Sequence, residues 1–108
     1  MGRPYLGEFE ELVLLTVAVL EGGAYGVTIA AELKKRTDRA ITLSGVHIAL
    51  YRLEEKGFVS SALGGATNER GGRRKRLFSI TGLGKRTLDE MRQVRNELWS
   101  AIPKISFS

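Results

Sequence analysis

Five basic residues lie close together in the second half of this chain of 108 residues. Arg70, Arg73, Arg74, Lys75 and Arg76 fall within seven positions that contain no acidic residue. Guanidinium and ammonium groups at this density attract polyanions, because each can donate charged hydrogen bonds to phosphate oxygens. Nucleic acid is the first partner that this chemistry suggests, and an anionic membrane surface is the second.

The distribution of charge along the chain supports this interpretation. The net charge is +5, yet residues 1–58 contain seven Lys and Arg against eight Asp and Glu, a net of −1. Residues 59–108 contain ten against four, a net of +6. The positive charge is therefore a local feature of the second half of the chain, which is what a localised anion-binding element requires.

Other kinds of chemistry find little support in the sequence. The chain has no Cys and a single His, His47, which excludes disulfides, a thiolate nucleophile and a Cys-ligated metal and argues against a His-based metal site. No apolar run approaches the roughly 20 residues of a membrane-spanning helix. Acidic residues precede the first apolar run, where a secretory signal would be basic. We expect a cytoplasmic protein that is not an enzyme and uses no cofactor.

Three helices are predicted ahead of the basic cluster. The first covers residues 8–21, is apolar on nearly every face and stops at two glycines. The second covers residues 26–36 and ends in three basic residues, which suit the negative pole of a helix. The third begins after Thr42, whose side chain can cap it, and ends at Lys56. The second and third helices with their short connection predict a helix-turn-helix.

The outward face of the third helix carries groups that can contact phosphates and the edges of bases. The DNA-binding residues predicted there are Thr42, Ser44, Gly45, His47, Tyr51 and Arg52. Ile48 lies on the same face and makes it more apolar than a solvated surface requires. Two alternatives stay open, because Tyr51 could cover the edge of the core and Arg52 could pair with Glu8 or Glu55.

Two short strands are predicted after the third helix. Residues 59–63 and 77–81 are rich in β-branched and aromatic types, and residues 64–76 between them contain two Gly-Gly pairs. This pattern predicts a β-hairpin with a long tip that holds the basic cluster, and long loops of this kind tend to be functional. An arginine-rich hairpin beside a helix-turn-helix is typical of a winged helix-turn-helix, in which the hairpin follows phosphates or enters the minor groove.

A last helix follows Thr81 and ends before Pro103. No later segment of the chain is expected to cover the apolar stripe of this helix, and the first helix is apolar on more than one side. A second copy of the chain is therefore expected to bury both apolar surfaces. The predicted dimer-interface residues are Phe9, Leu12, Leu88, Met91, Leu98, Trp99 and Ile102. Trp99 could instead line a ligand pocket.

The predicted architecture is mainly α-helical with a small β-hairpin. Residues 1–81 form a winged helix-turn-helix that binds DNA, and residues 82–108 form a C-terminal dimerisation helix and tail. The length of the chain is that of one compact domain, so the two parts are expected to share a single core.

Three segments, in this order, resemble the PadR family of bacterial transcriptional regulators. They are LVLLTVAVLEGGAYGVTIAAEL, SGVHIALYRLEEKGFV and GRRKRLFSITGLGKRTL, which together cover about residues 9–100. They are similar to the family's first helix with its Gly-x-Tyr-Gly turn, its recognition helix with the ALxRLExxG ending, and its wing followed by LTxxG. The resemblance implies a dimeric DNA-binding repressor, often released by a small molecule, of the short branch with a single C-terminal helix.

The recognition helix departs from the family pattern. Where the family commonly has GTLYPAL, this chain has SGVHIAL. The residues at the family's Gly, Thr, Tyr and Pro positions are Ser44, Gly45, His47 and Ile48. The DNA-facing chemistry differs accordingly, and the family's operators do not carry over. In the last helix, Arg95 stands where family members often have a Trp, which in some of them lines a drug pocket at the dimer interface, and Trp99 lies one turn later.

Two other classes of function stay open at this point. A winged helix that has lost specific DNA binding could serve as a ligand-sensing or protein-interaction module, with its basic segment meeting another anionic partner. Association with RNA is the second, although few aromatic residues are expected on the surface to stack on bases. Competition between duplex DNA and RNA distinguishes these classes.

Overall fold

A computed structural model describes residues 6–66 and 74–104 of the protein. These ranges contain four helices and an antiparallel pair of strands. In chain order they are α1 (Glu8–Val19), α2 (Gly26–Thr37), α3 (Leu43–Glu55), β1 (Val59–Ala66), β2 (Arg74–Ile80) and α4 (Gly82–Ala101). The predicted fold class, a helical domain with a hairpin and a C-terminal helix, is confirmed.

The first three helices enclose the core. Their buried faces follow helical spacing, so that Val13, Leu14, Ile29, Leu50 and Leu53 are fully enclosed or nearly so. α1 ends two residues before its predicted end, because Gly22 takes a left-handed conformation (φ +85°) and the Gly23 N–H donates to the Leu20 carbonyl. The helix-turn-helix therefore rests on α1 as its support.

The strands of the hairpin, which we call the wing, are longer than predicted. Val59 pairs with Ile80 and Leu63 with Arg76, and after a register shift Ala66 pairs with Arg74. The residues on either side of the expected tip thus belong to strands, and the prediction that residues 74–76 lie in a loop is wrong. Lys75 is half-buried and Arg76 is exposed, so the strand tolerates basic residues here because it need not present an apolar face.

The base of the wing is joined to the helical core. The Phe78 N–H donates to the Ala24 carbonyl at 2.8 Å, and this hydrogen bond attaches β2 to the chain just ahead of α2. The Phe78 side chain is buried in the core. The wing is consequently held from its base, and its basic part lies farther out along the strands.

α4 is anchored by its first turn. The Thr81 side chain accepts a hydrogen bond from the Gly84 N–H at 3.0 Å, which confirms the predicted cap, and donates to the Gly57 carbonyl. Gly84 lies against the carbonyl of Phe58. Farther along, Leu88 and Met91 pack on the core, whereas Leu98 and Trp99 are exposed. The second half of this helix of 20 residues therefore presents apolar side chains to solvent.

The described residues provide neither a membrane span nor a metal-binding cluster. Every helix in residues 6–66 and 74–104 is too short or too polar to span a lipid bilayer. In the same ranges, His, Asp and Glu side chains do not gather in groups of three or more that could hold a metal ion.

Candidate nucleic-acid interface

α3 divides into a buried face and an outward face. Val46, Ala49, Leu50 and Leu53 point into the core. The outward face carries exposed side chains, namely Ser44, His47, Ile48, Tyr51 and Arg52. The predicted cap is confirmed, since the Thr42 side chain accepts from the Gly45 N–H at 3.0 Å. Gly45 is itself half-buried, and a Cβ there would approach the Thr42 oxygen to 2.9 Å.

His47 brings the outward face of α3 against the beginning of α2. A Cβ built on Gly26, the first residue of α2, would lie 2.8 Å from both Cε1 and Nε2 of His47. The imidazole therefore packs over a glycine that no larger residue could replace without displacing the ring. This contact sets the position of the His47 ring on the surface, while its outer side stays exposed.

Tyr25, immediately before α2, binds the wing. The Lys75 ammonium lies 4.5 Å from the centre of the Tyr25 ring and donates a hydrogen bond of 3.1 Å to its hydroxyl. The Tyr25 backbone N–H donates in turn to the Thr28 side chain. Lys75 was predicted as a DNA contact, and the structure shows its ammonium group bound to Tyr25.

Arg76, on the opposite side of β2, connects the wing to α3. Its guanidinium donates to the Ser61 hydroxyl at 3.0 Å, and that hydroxyl donates to the Glu54 carboxylate at 2.7 Å. Adjacent residues of one strand point to opposite faces, so Lys75 reaches the residue before α2 on one side, while Arg76 on the other side reaches α3 through Ser61. These two connections hold the wing in a defined orientation beside the outward face of α3.

Arg52 has a different partner from those considered above. Its guanidinium lies 3.9 Å from the carboxylate of Glu10 on α1, which also accepts from Lys56 at 2.5 Å. Glu8 instead pairs with Arg39. Because the Arg52 side chain is 63% exposed, the pairing orients it without removing it from the surface.

The other residues predicted to bind DNA or to form the dimer interface fall into three groups. Arg70 and Arg73 lie outside the described residues, and Arg74 is described as part of β2. Of the dimer-interface residues, four are half-buried and pack on the core of their own chain: Phe9, Leu12, Leu88 and Met91. Three are exposed near the end of α4: Leu98, Trp99 and Ile102.

Grooves flank α4 on two sides. One, of about 660 Å³, separates it from α1 and is lined by Leu15, Leu88 and Trp99 together with the Arg95–Glu11 ion pair. The other, of about 840 Å³, is lined mainly by apolar side chains, including Met91, Val94 and Leu98. α4 thus carries unfilled apolar surface on both flanks.

Solved structures of similar fold support this description. The chain is 26% identical to a PadR family transcription regulator from Clostridium difficile, with a TM-score of 0.70 and coverage of 89% of this chain and 95% of that one. A PadR-like regulator from Bacillus cereus has 18% identity, a TM-score of 0.70 and coverage of 87% and 86%. A PadR-like transcription factor from Bacteroides fragilis has 23% identity, a TM-score of 0.70 and coverage of 91% and 89%.

The sequence itself matches the family over most of its length. Among curated proteins, none matches the chain in sequence. Residues 14–90, however, match the family described as transcriptional regulator PadR-like, and this range runs from α1 through the wing into α4. The chain therefore belongs to the PadR-like family of transcriptional regulators, which are DNA-binding proteins and not enzymes.

Proposed function

We propose that the protein is a repressor that binds a palindromic operator as a homodimer. The observation that carries the proposal is the exposed, largely polar outward face of α3 beside a wing whose second strand, β2, begins with three basic residues. An α-helix fits the major groove, and a two-fold dimer places its two recognition helices about 34–36 Å apart, in successive turns of the duplex. Repression then follows because the bound dimer occupies the promoter.

The residues have separate roles in this proposal. Ser44, His47 and Tyr51 offer hydrogen-bonding groups to base edges, and Thr42 and Arg52 at the two ends of α3 lie where phosphates pass. The wing adds salt-sensitive attraction to the backbone through its arginines. Lys75 acts mainly through Tyr25, by fixing where the wing lies relative to α3.

The exposed half of α4 supports the dimer. Leu98 and Trp99 are 64% and 71% exposed, and large apolar side chains at this exposure gain free energy when another surface covers them. A second copy presents the same stripe, so a two-fold contact between the α4 helices buries both at once. Residues 82–108 are therefore proposed as the dimerisation region and residues 1–81 as the DNA-binding region.

Selection of bound duplexes from random DNA tests the function. The proposal predicts enrichment of a motif with two-fold symmetry and stronger binding to that duplex than to RNA or single strands of equal length. If no motif is enriched, or if RNA competes equally well, the protein is an interaction module or an RNA-binding protein and the proposal fails.

Replacing Leu98 with Glu is expected to dissociate the dimer. Two carboxylates would enter the apolar contact without partners, and we expect the dimer to weaken at least about 100-fold. Sedimentation velocity at micromolar concentration measures this. The matched control is Gln93→Glu, which adds the same charge on another side of α4, where Gln93 is exposed. A wild-type monomer, or equal dissociation of both variants, would contradict the proposed interface.

Replacing Tyr25 with Leu is expected to loosen the wing. The change removes the hydrogen bond and the cation–π contact to Lys75, and we expect duplex affinity to fall about fivefold to tenfold. For Tyr25→Phe, which loses the hydroxyl alone, duplex affinity should fall by less. Footprints of the two variants provide the decisive readout: protection by the wing should weaken while protection by α3 persists. Uniform weakening of the whole footprint would argue against a positioning role.

A further inference from the structure

Ile48 occupies the middle of the outward face of α3 and is 54% exposed. Successive residues of a helix advance by about 100°, so Ile48 points away from the direction of the buried Val46, two residues earlier. In the described part of the chain, Ile48 belongs neither to the core nor to the half-buried apolar residues packed on it. Its side chain therefore contributes apolar surface to the face that we propose for DNA.

The neighbours of Ile48 are polar or amphipathic. Ser44 lies one turn before it and Arg52 one turn after it on the same stripe, and Tyr51, 61% exposed, lies beside them. Ser44, Tyr51 and Arg52 can exchange hydrogen bonds with DNA, whereas Ile48 can neither donate nor accept one. If Ile48 faced only the polar edges of bases, it would remove water from them without replacing the lost hydrogen bonds.

The major groove offers an apolar counterpart to such a side chain. Among the groups that the four base pairs present there, the C5-methyl group of thymine is apolar, while the others are hydrogen-bond donors or acceptors. Contact between an isoleucine and this methyl group removes both from water and leaves no polar group unpaired.

We infer that Ile48 reads a thymine methyl group in each half-site of the operator. The inference rests on the proposed function, because it assigns one base to the face that the proposal places in the major groove. Ile48 is thereby a specificity-determining residue whose recognition chemistry is hydrophobic, set among hydrogen-bonding neighbours.

Deoxyuridine provides the test, since it differs from thymidine at this position by the methyl group alone. Starting from the selected duplex, each thymine is replaced singly by uracil and the dissociation constant is measured. At one thymine position in each half-site, replacement by uracil is expected to weaken binding about fourfold. Replacement at this position in both half-sites together is expected to weaken binding about fifteenfold. With the Ile48→Ala protein, the thymine and uracil duplexes should bind equally at that position.

Two further variants separate the inference from general effects. Ile48→Val keeps an apolar side chain and should keep most of the discrimination. Val19→Ala removes a similarly exposed apolar side chain from α1, where Val19 is 58% exposed, and should keep all of the discrimination. Ile48 is outside the core, so Ile48→Ala should melt at the wild-type temperature. If the duplex binds tightly but no uracil effect depends on Ile48, the inference is overturned. If selection enriches no duplex, the proposed function fails first.

Discussion

Replacing Arg73, Arg74 and Arg76 with alanine is expected to weaken binding to all duplexes while leaving their order of preference unchanged. The dimer loses six positive charges. Each phosphate contact contributes about 0.9 to the slope of log K against log salt, so loss of the six contacts in the dimer should reduce the slope by about five and lower affinity roughly 10⁵-fold at about 0.1 M salt. Base contacts by α3 are left in place, which preserves the preference.

A charge-matched control distinguishes phosphate contact from net charge. Lys34, Lys35 and Arg36 lie in the last turn of α2, about 12–15 Å along the helix from Gly26, where α2 meets His47. Alanine at these three positions removes the same charge and should change affinity far less. Equal losses in the two triple variants would show that the wing acts only by long-range attraction, and an unchanged salt slope in the wing variant would remove it from the interface.

Replacing Gly84 with alanine is expected to have the largest effect on stability, about 3 kcal/mol of lost unfolding free energy. A Cβ at this position would lie 2.3 Å from the Phe58 carbonyl oxygen and 2.9 Å from Cγ1 of Ile80. The nearest obstacle is backbone, so relief requires the first turn of α4 to move away from the core. For a domain of this size the melting temperature should fall roughly 10–20 °C.

Gly82 provides the control for this prediction in the same turn. A Cβ there would find its nearest neighbour, an atom of the Arg86 side chain, at an ordinary 3.5 Å. Gly82→Ala should therefore melt within a few degrees of the wild type, with a small gain from helix propensity of at most about 1 kcal/mol. Similar melting temperatures for the two variants would contradict the close contact between α4 and the Phe58 backbone.

The helices could be predicted from the sequence because their signals are local. Thr42 and Thr81 cap α3 and α4 as expected, and the apolar spacing within α3 identifies which face points outward. The far part of the wing could not be predicted in the same way. Its residues do not alternate between apolar and polar types, so the sequence contains no periodic pattern that predicts the pairing of Arg74 with Ala66.

The outward positions of the candidate site residues on α3 could be predicted, but their partners could not. Lys75 and Tyr25 are 50 residues apart, and their contact depends on how β2 pairs with the chain before α2. Arg52 reaches Glu10 because α1 packs across α3, a relationship that spacing within one helix does not contain. Long-range contacts of this kind follow from tertiary packing, which a single sequence does not specify by pattern.

Hydroxyl-radical footprinting on the selected duplex tests the central claim most directly. Two copies with α3 in successive major grooves should protect two segments related by a two-fold axis, with their centres 10–10.5 base pairs apart, about one helical turn. Protection by the wing should flank each segment and disappear in the Arg73, Arg74 and Arg76 variant. A single unsymmetrical segment, or protection that the wing variant leaves unchanged, would contradict the account.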